Sequence, residues 1–121
     1  MGHRLSLLSR LTASAQRLDA VELQDDVVTR RCTPTSEVCR GTATQVVGRL
    51  REIVYTPSET VPTLVAELFD GSAAIDLVWL GRRRIPGVEP GRRLVARGRI
   101  GEHNGRHAIY NPYYELLPPI A

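Results

Sequence analysis

The chain has 121 residues, a length that suits one domain, and its 42% hydrophobic content is enough for a real core. It contains no run of 18 apolar residues, which excludes a membrane-spanning helix, and its two cysteines, Cys32 and Cys39, are too few for a disulfide framework. All 16 Lys+Arg positions are arginine, yet the net charge is only +3, so any attraction to nucleic acid has to come from local clustering.

The opening, Met1 to Gln16, imitates a secretory leader with Arg4, several leucines and Ala13-Ser14-Ala15. Arg10 interrupts an apolar stretch that is already too short, so no leader is expected and the expected location is cytoplasmic. From Leu5 to about Asp25 the pattern is helical: Leu8, Leu11, Ala15 and Leu18 recur at three- and four-residue spacing. This stripe is expected to pack on the rest of the domain, on a second copy or on a protein partner. Asp19, Glu22, Asp25 and Asp26 speak against a membrane surface, where cationic polar faces are favoured. Residues 1–28 are therefore read as an N-terminal helix and 29–40 as a linker, in which Pro34 biases Thr33 away from helical geometry.

After Gly41 the hydrophobic period changes from 3.6 to 2. Thr42 to Tyr55 reads as a long first strand, with a bulge or bend expected at Gly48. Residues 57–62 form a loop, Thr63 to Phe69 a second strand, Asp70-Gly71-Ser72 a tight turn, and Ala73 to Leu80 a third strand. Arg82 to Gly91 is loop-like, marked by Pro86-Gly87 and Pro90-Gly91. Leu94 to Ile100 is the fourth strand. Asn104-Gly105 marks a hairpin, and Ala108 to Asn111 is a short fifth strand that Pro112 ends. A long bent first strand followed by four more is the layout of a five-stranded OB-fold barrel over residues 41–117, with a tail at 118–121.

Leu68-Phe-Asp70-Gly-Ser72 followed by Ile75-Asp-Leu77-Val-Trp79-Leu80 resembles the second and third strands of nucleic-acid-binding OB domains. The similarity continues through Pro90-Gly91, Gly98, Ile109-Tyr-Asn111-Pro112 and Tyr114-Glu115. It resembles the OB wedge domain of RecG-type branch-migration helicases and small stand-alone bacterial OB proteins. It implies a β-barrel that binds DNA or RNA without catalysis. The helix has no counterpart in that family. A Gly-x-x-x-x-Gly-Lys phosphate loop is absent, so ATP hydrolysis is not expected.

Strand parity then sorts the candidate binding residues. Ile75, Leu77 and Trp79 are expected inside, with Asp76, Val78 and Leu80 outside. The position most often aromatic in the family falls on Leu80, which thins the usual stacking device. Phe69 is the remaining platform, either stacking a base or packed under a loop. Arg82-Arg83-Arg84 follow the third strand at the rim of the expected binding face, where phosphate contact is favoured. Arg106, in the turn between the fourth and fifth strands, is expected to border the same binding face as that run, while Arg49 and Arg51 on the first strand, with Arg97 and Arg99 on the fourth, are expected to form one outer basic patch. Tyr110, Tyr113 and Tyr114 offer rings for base stacking, but closing the barrel or packing the helix is the favoured expectation for them. No nucleophile–base pair and no zinc-like spacing appear, so neither cofactor nor metal is expected. The competing reading is a protein-interaction adaptor built on the same barrel and helix.

Overall fold

The computed structural model describes residues 2–119, with side chains from Ser14 to Pro119. Helix α1 (Gly2–Thr29) is followed by a short 3-10 turn (Thr35–Glu37). Six strands come next: β1 (Ala43–Thr56), β2 (Thr63–Phe69), β3 (Ala74–Leu80), β4 (Arg93–His103), β5 (Arg106–Tyr110) and β6 (Tyr113–Leu116). The fold is mostly β, as the alternating sequence predicts.

The length of β1 is what closes the structure. Its first half pairs antiparallel with β4, from Ala43 opposite Arg99 to Arg49 opposite Arg93. Its second half pairs with β2, from Arg49 opposite Phe69 to Thr56 opposite Thr63. β2 continues to β3, β3 to β5 in parallel, and β5 to β4, so five strands form a ring, consistent with an OB-like fold. β6, which the sequence did not foretell, adds to β4 outside that ring, with Tyr114 opposite Ala96.

The irregularity expected at Gly48 lies later, between Leu50 and Ile53. Gly48 serves another purpose. A Cβ there would collide with the Phe69 carbonyl, so glycine permits the close approach of two backbones at the bend.

Inward-pointing Val46, Leu50, Leu68, Ile75, Leu77, Trp79, Leu94 and Ile109 fill the ring. Trp79 is 4% exposed and meets Tyr114 edge-on at 5.9 Å, so it belongs to the core as its parity predicts. The expected outward exposure of Asp76 and Val78 is corrected: both are buried. β3 lies between β2 and β5, and Asp76 sits beneath the β4–β5 hairpin with His103 Nδ1 3.6 Å and Arg106 Nη2 3.5 Å away. Alternation alone cannot reveal such cover.

Helix α1 docks on the outer side of β1 and β4. Val27 joins Val47, Val95 and Leu117 in a second small cluster, and Leu23 is also fully buried. Burying each such side chain contributes about 1.5–3 kcal/mol. The docking stripe is thus Leu23 and Val27, whereas Ala15 and Leu18 of the expected stripe are exposed. Leu8 and Leu11 lie outside the residues whose side chains are described.

The linker is held by a buried carboxylate. The Thr35 backbone N–H donates to Asp70 Oδ2 at 2.7 Å, and its hydroxyl donates to Oδ1 at 2.7 Å. The Ser72 N–H and hydroxyl donate to the same Oδ1 at 2.9 and 2.6 Å. Burial alone would raise the Asp70 carboxyl, but these hydrogen bonds from Ser72 and Thr35 outweigh it and hold it below the ordinary carboxylate value.

Candidate nucleic-acid interface

The outer face of β1, β2 and β3 is the surface on which parity puts Phe69 and Arg51. It forms a shallow trough of about 310 Å³ lined by Glu52, Val54, Val65, Glu67, Asp76 and Arg106, among others. Three carboxylates line it, so its arginines are already engaged. Arg51 Nε donates to Glu67 Oε1 at 2.8 Å, and Arg106 Nη1 donates to Glu67 Oε2 at 3.0 Å. Burial acts to raise the Glu67 carboxyl, but the hydrogen bonds and charges of Arg106 and Arg51 together bring it below its ordinary value. The Arg51 guanidinium also lies 4.2 Å from the Phe69 ring centroid. The one phenylalanine of the chain is therefore stacked against its own arginine.

The expected single patch of Arg49, Arg51, Arg97 and Arg99 does not form. Antiparallel pairing sets Arg49 opposite Arg93, while Arg97 and Arg99 stand opposite Gln45 and Ala43, at the other end of that pairing. Helix α1 then covers the near end: Arg49 Nη2 bonds Asp19 at 3.0 Å, and Arg93 Nη1 bonds Asp26 at 2.6 Å. Arg49 also donates to the Gly91 carbonyl at 2.9 Å. These arginines hold the helix, and the sequence pattern could not show it because the contact spans 30 residues in one case and 67 in the other.

Arg97 and Arg99 remain exposed on the far end of β4. Arg97 lies 4.6 Å from the ring centroid of Tyr113, which is 66% exposed, and Arg99 donates to the Gly41 carbonyl. Tyr113 comes from the unforeseen β6, so its partnership with Arg97 was hidden in the sequence.

At the C-terminal end of β3 the situation differs. Arg82, Arg83 and Arg84 are all exposed, and none has a carboxylate partner among the described residues. Gly81 turns the chain with φ +75°, and its N–H donates to the Pro62 carbonyl at 2.8 Å, which fixes the β1–β2 loop beside the run. The Leu80 N–H donates to Asn111 Oδ1 at 3.0 Å, fixing the end of β5 on the other side. Arg83 stands 5.7 Å from the ring centroid of Tyr55, and Leu80 is 41% exposed beside them. A groove of about 470 Å³ runs from Leu80 and Arg82 to Asn111, Pro112 and Tyr114. The ring thus presents three unneutralised guanidiniums, an apolar residue and aromatic edges at one end.

No family model matches the chain, and no curated protein matches it. Among solved structures it is similar to RecG bound to a three-way DNA junction, with a TM-score of 0.55 and 18% identity, covering 69% of this chain and 12% of that one. It is also similar to the OBody AM1L10 bound to hen egg-white lysozyme, with a TM-score of 0.51 and 16% identity, covering 72% of this chain and 93% of that one. The chain thus corresponds to a small part of the RecG chain, and both likenesses are of fold.

Among the described residues, no three His, Cys, Asp or Glu side chains come together in a way that would hold a metal ion. Cys32 and Cys39 are free thiols. No described helix is long and apolar enough to cross a membrane.

Proposed function

We propose that this chain is an OB-type nucleic-acid-binding module that performs no catalysis and grips phosphates at the rim of the ring rather than stacking bases on its sheet face. The observation that carries this reading is the contrast between two arginine groups. Arg51 and Arg106 are neutralised by Glu67 and Asp76, whereas Arg82, Arg83 and Arg84 stand exposed without a carboxylate. Guanidiniums free of internal partners displace the cations condensed around nucleic-acid phosphates, which is the main source of sequence-tolerant binding. Arg97, which lies against Tyr113, and the exposed Arg99 form a secondary contact. The fold likeness to RecG on a DNA junction agrees in kind. The ligand of this reading is single-stranded or branched DNA, or RNA.

The test is fluorescence anisotropy of labelled single-stranded, forked and duplex oligonucleotides across a salt series. Each phosphate contact contributes about 0.7–0.9 to the slope of log affinity against log salt, so Arg82, Arg83 and Arg84 together replaced by alanine should flatten it by about 2. Absence of binding at about 50 mM salt would overturn the proposal.

A second reading, a protein-binding adaptor, is favoured by the covered Phe69 and by an exposed apolar strip on α1. The fold likeness to an OBody bound to lysozyme agrees with it. In that case the oligonucleotide titrations stay flat while a protein ligand engages the sheet face or the helix.

A further inference from the structure

From Ser14 to Leu18, five consecutive residues of α1 are exposed. Five residues exceed the 3.6 of one helical turn, so at this level no side of the helix rests on the ring. Farther along, α1 docks through Leu23 and Val27, yet Leu18, Val21 and Val28 remain 65%, 54% and 78% exposed. At 3.6 residues per turn these three fall on one strip, on the side away from Leu23 and Val27. Their spacings of three and seven are those of a helix–helix seam.

Charge indicates what covers the strip. Residues 1–17 contain Arg4, Arg10 and Arg17 and no acid, whereas residues 18–28 contain Asp19, Glu22, Asp25 and Asp26 and no base. The helix has no acidic residue in its first turn and no basic one in its last. This order is the reverse of what the helix macrodipole favours. The ring engages Asp19 and Asp26 through Arg49 and Arg93. Glu22 and Asp25 stay exposed, with no ion-pair partner among the described residues.

We propose that the occupant is a second copy of this chain, with the two α1 helices paired antiparallel. Only that orientation sets the basic half of each helix beside the acidic half of the other. It also opposes the two dipoles and buries the Leu18–Val21–Val28 strip, whereas a parallel pair would set like charges together. A helical stretch open to solvent on every side, as residues 14–18 are, is marginal in water without a neighbour. The inference is independent of nucleic-acid binding.

Sedimentation velocity of the full chain tests it. The wild type should run as a species of about twice 13.4 kDa at concentrations up to about 100 μM. Leu18→Glu with Val21→Glu should run as a monomer whose thermal midpoint and far-UV dichroism show an intact ring. Orientation is read from two charge-reversed chains. One carries Arg10→Glu and Arg17→Glu, the other Glu22→Arg and Asp25→Arg. Each alone should dissociate at least about tenfold more readily than wild type, and an equimolar mixture should recover the dimer. A wild type that stays monomeric overturns the proposal, as do reversed chains that dimerise as well as wild type or a mixture that fails to recover.

Discussion

The guanidinium of Arg51 lies against the Phe69 ring at 4.2 Å while bonding Glu67 at 2.8 Å. One arginine thereby occupies both devices that a single strand would need on this face, an aromatic surface and a free positive charge. If the rim carries binding, removing Arg51 should matter little. Arg51→Ala is expected to leave oligonucleotide affinity within about twofold of wild type, under about 0.5 kcal/mol, in the same anisotropy titrations. A loss beyond about tenfold would move the binding site back onto the sheet.

The acid response of stability follows from Glu67 and Asp70, whose carboxyls sit below their ordinary values of 4.5 and 3.8 in the folded chain. The unfolded chain therefore takes up these protons at higher pH than the folded one. The stabilisation they supply is fully present above the ordinary values and is lost as pH falls through the lower folded ones. Urea midpoints should be flat above about pH 5.5 and decline below about pH 4.5. Asp70→Asn should lower stability by about 2–4 kcal/mol at neutral pH, since an amide offers one acceptor where the carboxylate serves Thr35 and Ser72 with two oxygens. The same variant should show a shallower acid decline than wild type.

The five ring strands were legible because alternation is a local signal, and their ends fall close to the turn residues that mark them. What lay hidden was whatever depends on distant chain. β6 is four residues long and follows Pro112, so it has too little alternation to announce itself. Asp76 reads as an exposed residue by parity and is buried because the β4–β5 hairpin brings His103 and Arg106 over it. Arg49 and Arg93 look like a basic surface until α1 arrives with Asp19 and Asp26. Arg82, Arg83 and Arg84 were legible as an exposed run, but their neighbour Tyr55 was not, since the strand end gives no sign of what folds beside it.

Gly71 couples the β2–β3 turn to the helix. Its φ is +92°, and a Cβ there would run into the Ala20 carbonyl and the Gln24 side chain, the latter already donating to the Gly71 carbonyl at 3.3 Å. Gly81 has a similar φ of +75° with nothing within 4 Å of its virtual Cβ. The backbone cost of alanine at positive φ is therefore shared, about 1–2 kcal/mol, while the collision belongs to Gly71 alone. Gly71→Ala should cost about 2–3 kcal/mol in urea unfolding and should speed amide exchange in the second half of α1. Gly81→Ala should do neither beyond its backbone share, and equal effects at both sites would exclude the helix contact as the cause.

The two ion pairs that seat α1 are unequal, and the inequality is measurable. Arg93 has only 10% of its side chain exposed and meets Asp26 at 2.6 Å, whereas Arg49 and Asp19 are 27% and 37% exposed at 3.0 Å. An exposed pair is screened by water and contributes about 0.2–1 kcal/mol. A buried arginine deprived of its carboxylate keeps a desolvated charge, here only partly answered by the Pro118 carbonyl at 3.0 Å. Asp26→Ala should therefore cost about 2–3 kcal/mol, and Asp19→Ala less than about 1 kcal/mol, both read from urea midpoints at constant slope. Raising the salt concentration should shrink the Asp19 effect and leave most of the Asp26 effect, because ions screen the exposed pair and scarcely reach the buried one. Equal costs that respond equally to salt would mean that Arg93 is better hydrated than its burial implies.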